Sequence, residues 1–586
     1  MDDKYLILII FIGIFIFAQL VKRSVKKDME ETRRKEEKNE DLNEALYKYE
    51  ETVILDKKET YEEINKIEKH EVIHEKDIII NNNEQFYRSS KVPKAESKKT
   101  SYEFKPEYNR TMMQFFEWNL SNDGTLYKKL CSEAENLSKK GISAVWLPPA
   151  GKGVNGINDV GYGCYDLFDL GEFDAKGTVR TKYGTKAEYI NAIDSAHKNN
   201  IEVYADIVFN HKAGADDTEL VKAVEVAQNN RNMVISGAHD IRCHTVFNFE
   251  SRNNKYSDYK WSAKDFTGVD YDELNNKHGI FRFADKEWAN DVDSENGNYD
   301  YLMFSDIDMN SKEVREELVK YGKWLIDETN IDGFRLDAVK HIQFDFFDYW
   351  LGEMRKYKKA DMFAVGEYWG YDVGRLKYYM EKSNNCMGLF DVPLHFAFHE
   401  ASKSFGYFDM RNLVRRSMVS EYPQMACTFV DNHDTQIGQS LQSWVEEWFK
   451  PLAYTFILTR KDGYPCVFYG DYYGVNNSEY KGMKEILDII LKVRKKYAYG
   501  AQHDYFDHES IVGWTREGDL YHDDSGLAAL ITDKHGGKKR MFIGTHFAGK
   551  TFYDITGNVK ESTIIDEDGF GEFSVQDGSH SIYVLK

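Results

Sequence analysis

From about residue 106 onward, short apolar runs rich in aromatic and β-branched residues alternate with segments spaced like amphipathic helices. Eight runs stand out, at 111–118, 142–147, 201–208, 331–339, 362–367, 388–394, 427–430 and 466–469. Most are nearly continuous rather than alternating, as parallel strands covered on both faces are. Helical patterns, clearest at 186–199 and 314–328, fill most of the gaps. Eight strands with helices between them predict an α/β chain folded as a (β/α)8 TIM barrel. The interval from 208 to 331 is far too long for one crossover, since a whole βαβ unit needs only about 30 residues. Its Asn, Asp, Gly and Tyr content and short alternations predict a small domain inserted after strand three, at about 211–306. Beyond Tyr499, runs at 511–515, 527–532, 540–544 and 581–584 are punctuated by Gly, Asp and His, which predicts a C-terminal antiparallel β-sandwich. The barrel with its insert is thus assigned to 106–500 and the β domain to 501–586.

The first hundred residues have another pattern. Residues 5–21 carry no charge, at the short limit of the about 17–25 that a membrane-spanning helix needs. They are read as a single transmembrane helix, an anchor over 1–21; a secretory signal is the alternative. Asp2 and Asp3 and the lack of a small-x-small cleavage site argue against the signal. Lys4 alone precedes the run, whereas Lys22, Arg23, Lys26, Lys27, Arg33, Arg34 and Lys35 follow it. The positive-inside rule therefore expects the bulk of the chain to face the cytoplasm, export being the alternative. Residues 22–105 read as a charged stalk, because the stripe Leu42, Leu46, Tyr49, Val53 lapses too soon for a coiled coil.

Composition narrows the function. The 586 residues include 77 basic and 98 acidic side chains, a net charge of -21. Such a chain is not built to neutralise phosphates, so nucleic acid is excluded as a main partner. Six scattered cysteines with no CxxC pair argue against a disulfide scaffold or zinc ribbon and fit buried free thiols. No oligomeric state is implied.

Chemistry in such barrels sits at the C-terminal ends of the strands. Those ends carry Asp206, Asp337, Glu367 and Asp434, from strands three, four, five and seven. Arg335 and Asp337 are two apart and face one side of a strand, so the guanidinium is expected to keep Asp337 ionised, as a nucleophile requires. Glu367 is flanked by aromatic residues, surroundings that could raise its pKa and suit a general acid. His433 and Asp434 add a donor and a third carboxylate. One ionised and one protonated acid flanking a bond are what retaining glycoside hydrolysis demands.

At these positions DIVFNH (206–211), GFRLDAVKH (333–341), GEYW (366–369) and FVDNHD (429–434) resemble the four signature regions of the α-amylase family of glycoside hydrolases. QFFEW, AVWLPPA, DVGYGCYDLFDLGEF, SENGNYDYLM, FDVPLHF and GYPCVFYGD extend the likeness to bacterial liquefying and cytoplasmic members, over roughly 108–586. The resemblance implies endo-hydrolysis of α-1,4-glucosidic bonds in starch, glycogen or maltodextrins. It implies Asp337 as nucleophile, Glu367 as acid/base and Asp434 as transition-state stabiliser. Tyr162 would be the platform under the sugar beside the cleaved bond; His211, Arg335 and His433 would contact that sugar or orient the acids. Lys340, His341 and Trp369 would line the leaving-glucan side. A calcium ion (Ca2+) clamping insert to barrel would be held by Asn210, Asp300, Asp306 and the backbone carbonyl of His341, with Asp291 and Asp293 as solvated surface acids. Thr267 and Ala289 stand where secreted relatives carry further metal-binding aspartates, which implies a single calcium. A maltooligosaccharide-forming or transglycosylating member is the alternative, and an inactive membrane-anchored glucan-binding protein is a further one.

Overall fold

The computed structural model describes residues 109–586; the anchor and stalk expected at 1–21 and 22–105 lie outside the described residues. Eight apolar runs become β1 (Met112–Gln114), β2 (Ala144–Leu147), β3 (Glu202–Ile207), β4 (Gly333–Leu336), β5 (Phe363–Gly366), β6 (Gly388–Phe390), β7 (Ala426–Phe429) and β8 (Tyr464–Phe468). Each pairs in parallel with its neighbours in chain order, and β8 closes on β1 at Met112↔Cys466. Apart from Glu202 every strand residue is buried, which is why these runs are continuous in sequence.

The strands are shorter than the apolar runs. The sixth run was expected to extend to Leu394, but β6 stops at Phe390. The Asp391 carboxylate accepts the Leu394 N–H at 3.1 Å and caps a helix over Val392–Lys403, with Pro393 in its first turn. The same local logic starts the helix Lys186–Lys198, where Thr185 and Glu188 form a reciprocal capping box. A left-handed Asn330 ends the helix Lys312–Thr329, which buries Val314, Leu318 and Leu325 on one stripe.

An antiparallel insert separates β3 from β4. Its antiparallel sheet begins at His211–Lys212 and ends at Ser305–Ile307, and these two strands pair with each other at Asp306↔His211. The chain therefore leaves and re-enters the barrel side by side. After the barrel, a six-stranded sheet from Gln502–Tyr505 to His580–Leu585 faces the pair Gly537–Phe542 and Phe570–Val575 across a core of Met541, Phe552, Phe573 and Tyr583. Helix Lys450–Thr459 is buried almost all round, because this domain covers its outer side. Trp514 seals the junction: its ring meets Phe456 edge-on at 5.5 Å and its Nε1–H donates to Thr459 Oγ1 at 2.8 Å.

All six cysteines are free, and all but Cys131 are buried. Among the described residues no helix is long and apolar enough to cross a membrane. Trp514→Ala is expected to destabilise the chain by about 3–5 kcal/mol, seen by calorimetry as an earlier unfolding transition, with Trp514→Phe close to wild type.

Candidate active site

Register builds the centre of the site. Arg335 on β4 is paired with Asp206 on β3, so both side chains enter the barrel on the same side. The Arg335 guanidinium is fully buried. Its Nη1 bonds Asp206 at 2.9 Å and Asp337 at 2.7 Å, and its Nη2 reaches Glu367 at 2.8 Å. Trp146 Nε1–H and the Tyr162 hydroxyl both donate to the other oxygen of Asp206, at 3.0 and 2.8 Å. Asp206 is thus saturated beneath the cleft and does not line it, whereas the strand-end pattern had grouped it with the reactive acids. The chain after Asp337 turns through Ala338 at φ 49, an unusual conformation for alanine that aims its N–H at Glu367 Oε2, 3.2 Å away.

Asp337 and Glu367 share one guanidinium, the first on Nη1 and the second on Nη2. Burial pushes Asp337 up to about 6 in spite of Arg335. The guanidinium was expected to keep this acid ionised; burial works against it, yet a group near 6 is still mostly ionised at neutral pH. Glu367 is also raised, first by burial and then by the charge of Asp337, with Arg335 opposing. The aromatic flanks contribute only through burial: the Tyr368 hydroxyl turns away to Asp293. Asp434 is held well above the usual carboxylate range by burial and by Glu367.

These three acids open onto a cavity of about 260 Å³ that Tyr162, His211, Lys340, His341 and Trp369 also line, as expected. Arg335 and His433 do not line it; they orient what does. Trp118, Tyr299 and Leu441 line it as well and were not singled out from sequence. Trp118 lies parallel to Tyr162 at 6.0 Å, and QFFEW carries the one available signal for it, an aromatic just past a strand end. Lys340 Nζ bonds Glu295 at 2.9 Å and the Trp369 carbonyl at 3.0 Å. Burial makes His211 and His341 neutral, at about 4 and about 3. His433 is pushed well below its usual value. Its Nδ1 lies 3.0 Å from Gln114 Nε2, which assigns the proton to Nε2, 3.4 Å from Asp434.

The loop bearing Asp434 has its own buried anchor. Lys450 Nζ bonds Asp431, bonds Asp471 at 2.7 Å, and lies 3.4 Å over the Trp444 ring, with all three charged groups out of solvent. Asp431 in turn accepts from Thr435 Oγ1 at 2.7 Å, and Asn432 Oδ1 takes the Asp434 N–H at 2.8 Å. Nothing in the apolar pattern pointed to Lys450.

The candidate cation site forms where the insert leaves the barrel. The Asn210 side-chain amide lies 3.4 Å from the carbonyls of Asp300 and His341 and 3.5 Å from Asp306 Oδ1. Asp300 is raised to about 7, by burial and then by the charge of Asp308, and Asp306 well above its usual value, by burial and the charge of Asp300. Two buried carboxylates, a carbonyl and an amide are hard oxygen donors in need of a positive charge, so the residues fit calcium. Thr267 donates its hydroxyl to Asp306 and the Ala289 N–H bonds Asp300 at 2.8 Å. The next acid, Asp308, is held by Lys286 Nζ at 2.7 Å. Asp293 corrects the expectation of a solvated acid: it is buried and accepts from Tyr368, from Arg375 at 3.2 Å and from the Glu295 N–H at 2.7 Å. The reason is its place in the seam, where its own N–H bonds the Lys340 carbonyl at 3.0 Å. Asp291 remains exposed.

A (β/α)8 barrel with two acids on one arginine and a third acid opening onto the same cavity points to a glycoside hydrolase. Comparison with known proteins narrows the class. The profile for the alpha amylase catalytic domain matches residues 113–512, and that for the alpha-amylase C-terminal domain matches 529–584. An alpha-amylase of Geobacillus stearothermophilus is 56% identical over 479 residues, covering 81% of this chain and 87% of that one. A glucan 1,4-alpha-maltohexaosidase of Bacillus sp. (strain 707) is 52% identical over 481 residues, 82% of this chain and 93% of that one. The solved alpha-amylase of Geobacillus thermoleovorans shares the fold, with a TM-score of 0.55 at 20% identity over 82% of this chain and 98% of that one. The chain belongs to the alpha-amylase family.

Arg335→Met is expected to cost about 3–5 kcal/mol, because it strands buried carboxylates without their cation. Urea unfolding at pH 7 measures it, and the loss shrinks as the acids are protonated at lower pH. Lys450→Met, which removes the charge between Asp431 and Asp471, is expected to destabilise by a similar amount in the same assay.

Proposed function

We propose that this chain is an endo-acting α-amylase that cleaves internal α-1,4-glucosidic bonds with retention of configuration. The observation that carries the mechanism is that Asp337 and Glu367 sit on the two terminal nitrogens of one guanidinium. That bridge holds the two acids close together, the arrangement of retaining enzymes rather than inverting ones, which keep room for a water between theirs. Asp337 attacks the anomeric carbon. Glu367, its carboxyl raised by burial and by the charge of Asp337, donates a proton to the leaving oxygen and then takes one from the water that releases the enzyme-bound sugar. Asp434 holds sugar hydroxyls and so stabilises the transition state. Tyr162 presents its face to the sugar, while its hydroxyl is tied to Asp206. His211, fixed to the Tyr162 carbonyl at 2.9 Å, offers a neutral imidazole to sugar hydroxyls. Lys340, His341 and Trp369 hold the leaving side.

A maltooligosaccharide-forming specificity is the second reading, supported by the relative of that kind at 52% identity. Product analysis on soluble starch over time decides: mixed long oligosaccharides appear first under endo-hydrolysis, and one dominant short product from the outset under the alternative.

A single calcium held by Asn210, Asp300, Asp306 and the His341 carbonyl stabilises the seam between insert and barrel. Lys286 already neutralises Asp308, and Thr267 supplies a hydroxyl rather than a charge, which supports one ion rather than several. Residues 1–21 tether the enzyme to a membrane with the catalytic domain on the cytoplasmic side, a reading supported by the uncharged run and its basic flank. Protease added to intact cells then spares the catalytic domain; digestion from outside would reverse the orientation.

Three outcomes follow. Asp337→Asn and Glu367→Gln each lower reducing-end release by about a hundred- to ten-thousandfold; release equal to wild type would remove the assignment. Activity falls as pH drops through about 6, where Asp337 takes up a proton and can no longer attack, and the acid limb of kcat/KM against pH measures it. Treatment with a chelator lowers the unfolding temperature, and added Ca2+ restores it better than Mg2+ does.

A further inference from the structure

An aromatic path leads out of the catalytic cavity. Trp369 lines that cavity together with Asp337 and Glu367 and is half-buried. Its ring centre lies 5.9 Å from Phe396, and Phe396 meets Tyr371 edge-on at 5.6 Å. Trp369 and Phe396 are both half-buried, whereas Tyr371 at the end of the path is 77% exposed. Burial does not account for a large ring left in water at the mouth of a cleft.

The backbone under Tyr371 is fixed. Asp372 accepts the Gly374 N–H at 2.8 Å and caps helix Val373–Lys382, so the ring stands on a helix start. Arg375, one turn further, pairs with Asp293 at 3.2 Å yet is half exposed, leaving N–H groups free to meet hydroxyls. A glucan chain matches this surface: its C–H faces pack on aromatic rings and its hydroxyls take polar partners.

We propose that Tyr371 is a distal platform for the α-glucan chain, continuous with the catalytic cleft through Phe396 and Trp369. It engages glucose units on the leaving side, beyond those that Trp369 reaches, and so sets the preference for long chains over short ones. The proposal rests on the α-glucan reading of the cleft.

Steady-state hydrolysis of amylose and of maltotetraose tests it, using the full chain as wild type, Tyr371→Ala and Tyr371→Trp. A ring lost from a distal site weakens only substrates long enough to reach it. Tyr371→Ala is therefore expected to raise KM for amylose by about threefold to tenfold, with kcat kept. Maltotetraose kinetics stay at wild-type values, and Tyr371→Trp restores amylose binding. Equal losses on both substrates, or none on amylose, overturn the platform while leaving the catalytic assignment intact. If wild type hydrolyses neither glucan, the α-glucan reading fails and the platform falls with it.

Discussion

One buried positive charge holds the site together. Arg335 lies at the floor of the barrel mouth with Asp206, Asp337 and Glu367 bonded to it and Asp434 facing the same space. Four carboxyls around one guanidinium cannot all be ionised in a site closed to water. The protein divides the burden by burial and hydrogen bonding. Asp206 takes donors from Trp146, Tyr162 and Arg335 and becomes a fixed counter-charge. Asp337 and Glu367 divide the rest of the guanidinium, one on each terminal nitrogen, and Glu367 takes the Ala338 N–H as well. The difference in role between two chemically similar acids therefore arises from the donors that reach each of them.

The same economy of position appears at the seam. Because His211–Lys212 pairs with Ser305–Ile307, the insert's two ends lie side by side, and Asn210 and Asp306 meet without any long-range search. The segment at 291–293 then stitches to the loop after β4, through Asp293 N–H to Lys340 O and Phe344 N–H to Asp291 O. That loop carries Lys340 and His341. The oxygen cluster and the leaving side of the cleft thus share residues: His341 offers its carbonyl to one and its ring to the other.

Much of this was legible in the chain because burial leaves a signature in composition. Strands covered on both faces are continuous apolar runs, so all eight could be counted and ordered, and an acid interrupting such a run at its end stands out. Strand limits were less legible. Phe115 and Phe116 remain buried after leaving the β1 ladder, and Leu394 is buried by a helix instead of a strand. Hydrophobicity reports burial, and it does not report which hydrogen bonds the backbone makes. Groups that act through others were hidden for a related reason. Lys450 and Asp471 look like surface residues in sequence, and only the fold shows them closed over Asp431.

Asp206 shows why a strand-end acid is not in itself a reactive one. It occupies the position that the barrel's geometry reserves for chemistry, on a strand next to Asp337, and it is more completely hydrogen-bonded than either reactive acid. An acid whose oxygens are all occupied can neither attack nor donate, but it can hold a guanidinium and a tyrosine still. Tyr162 is the consequence that reaches substrate: its ring faces the cavity while its hydroxyl is spent on Asp206. The platform under the sugar and the arginine under the acids are therefore set by the same carboxylate. On the proposed mechanism this ties substrate position and proton position together, because the ring that would carry the glucose and the arginine under the acids share one anchor.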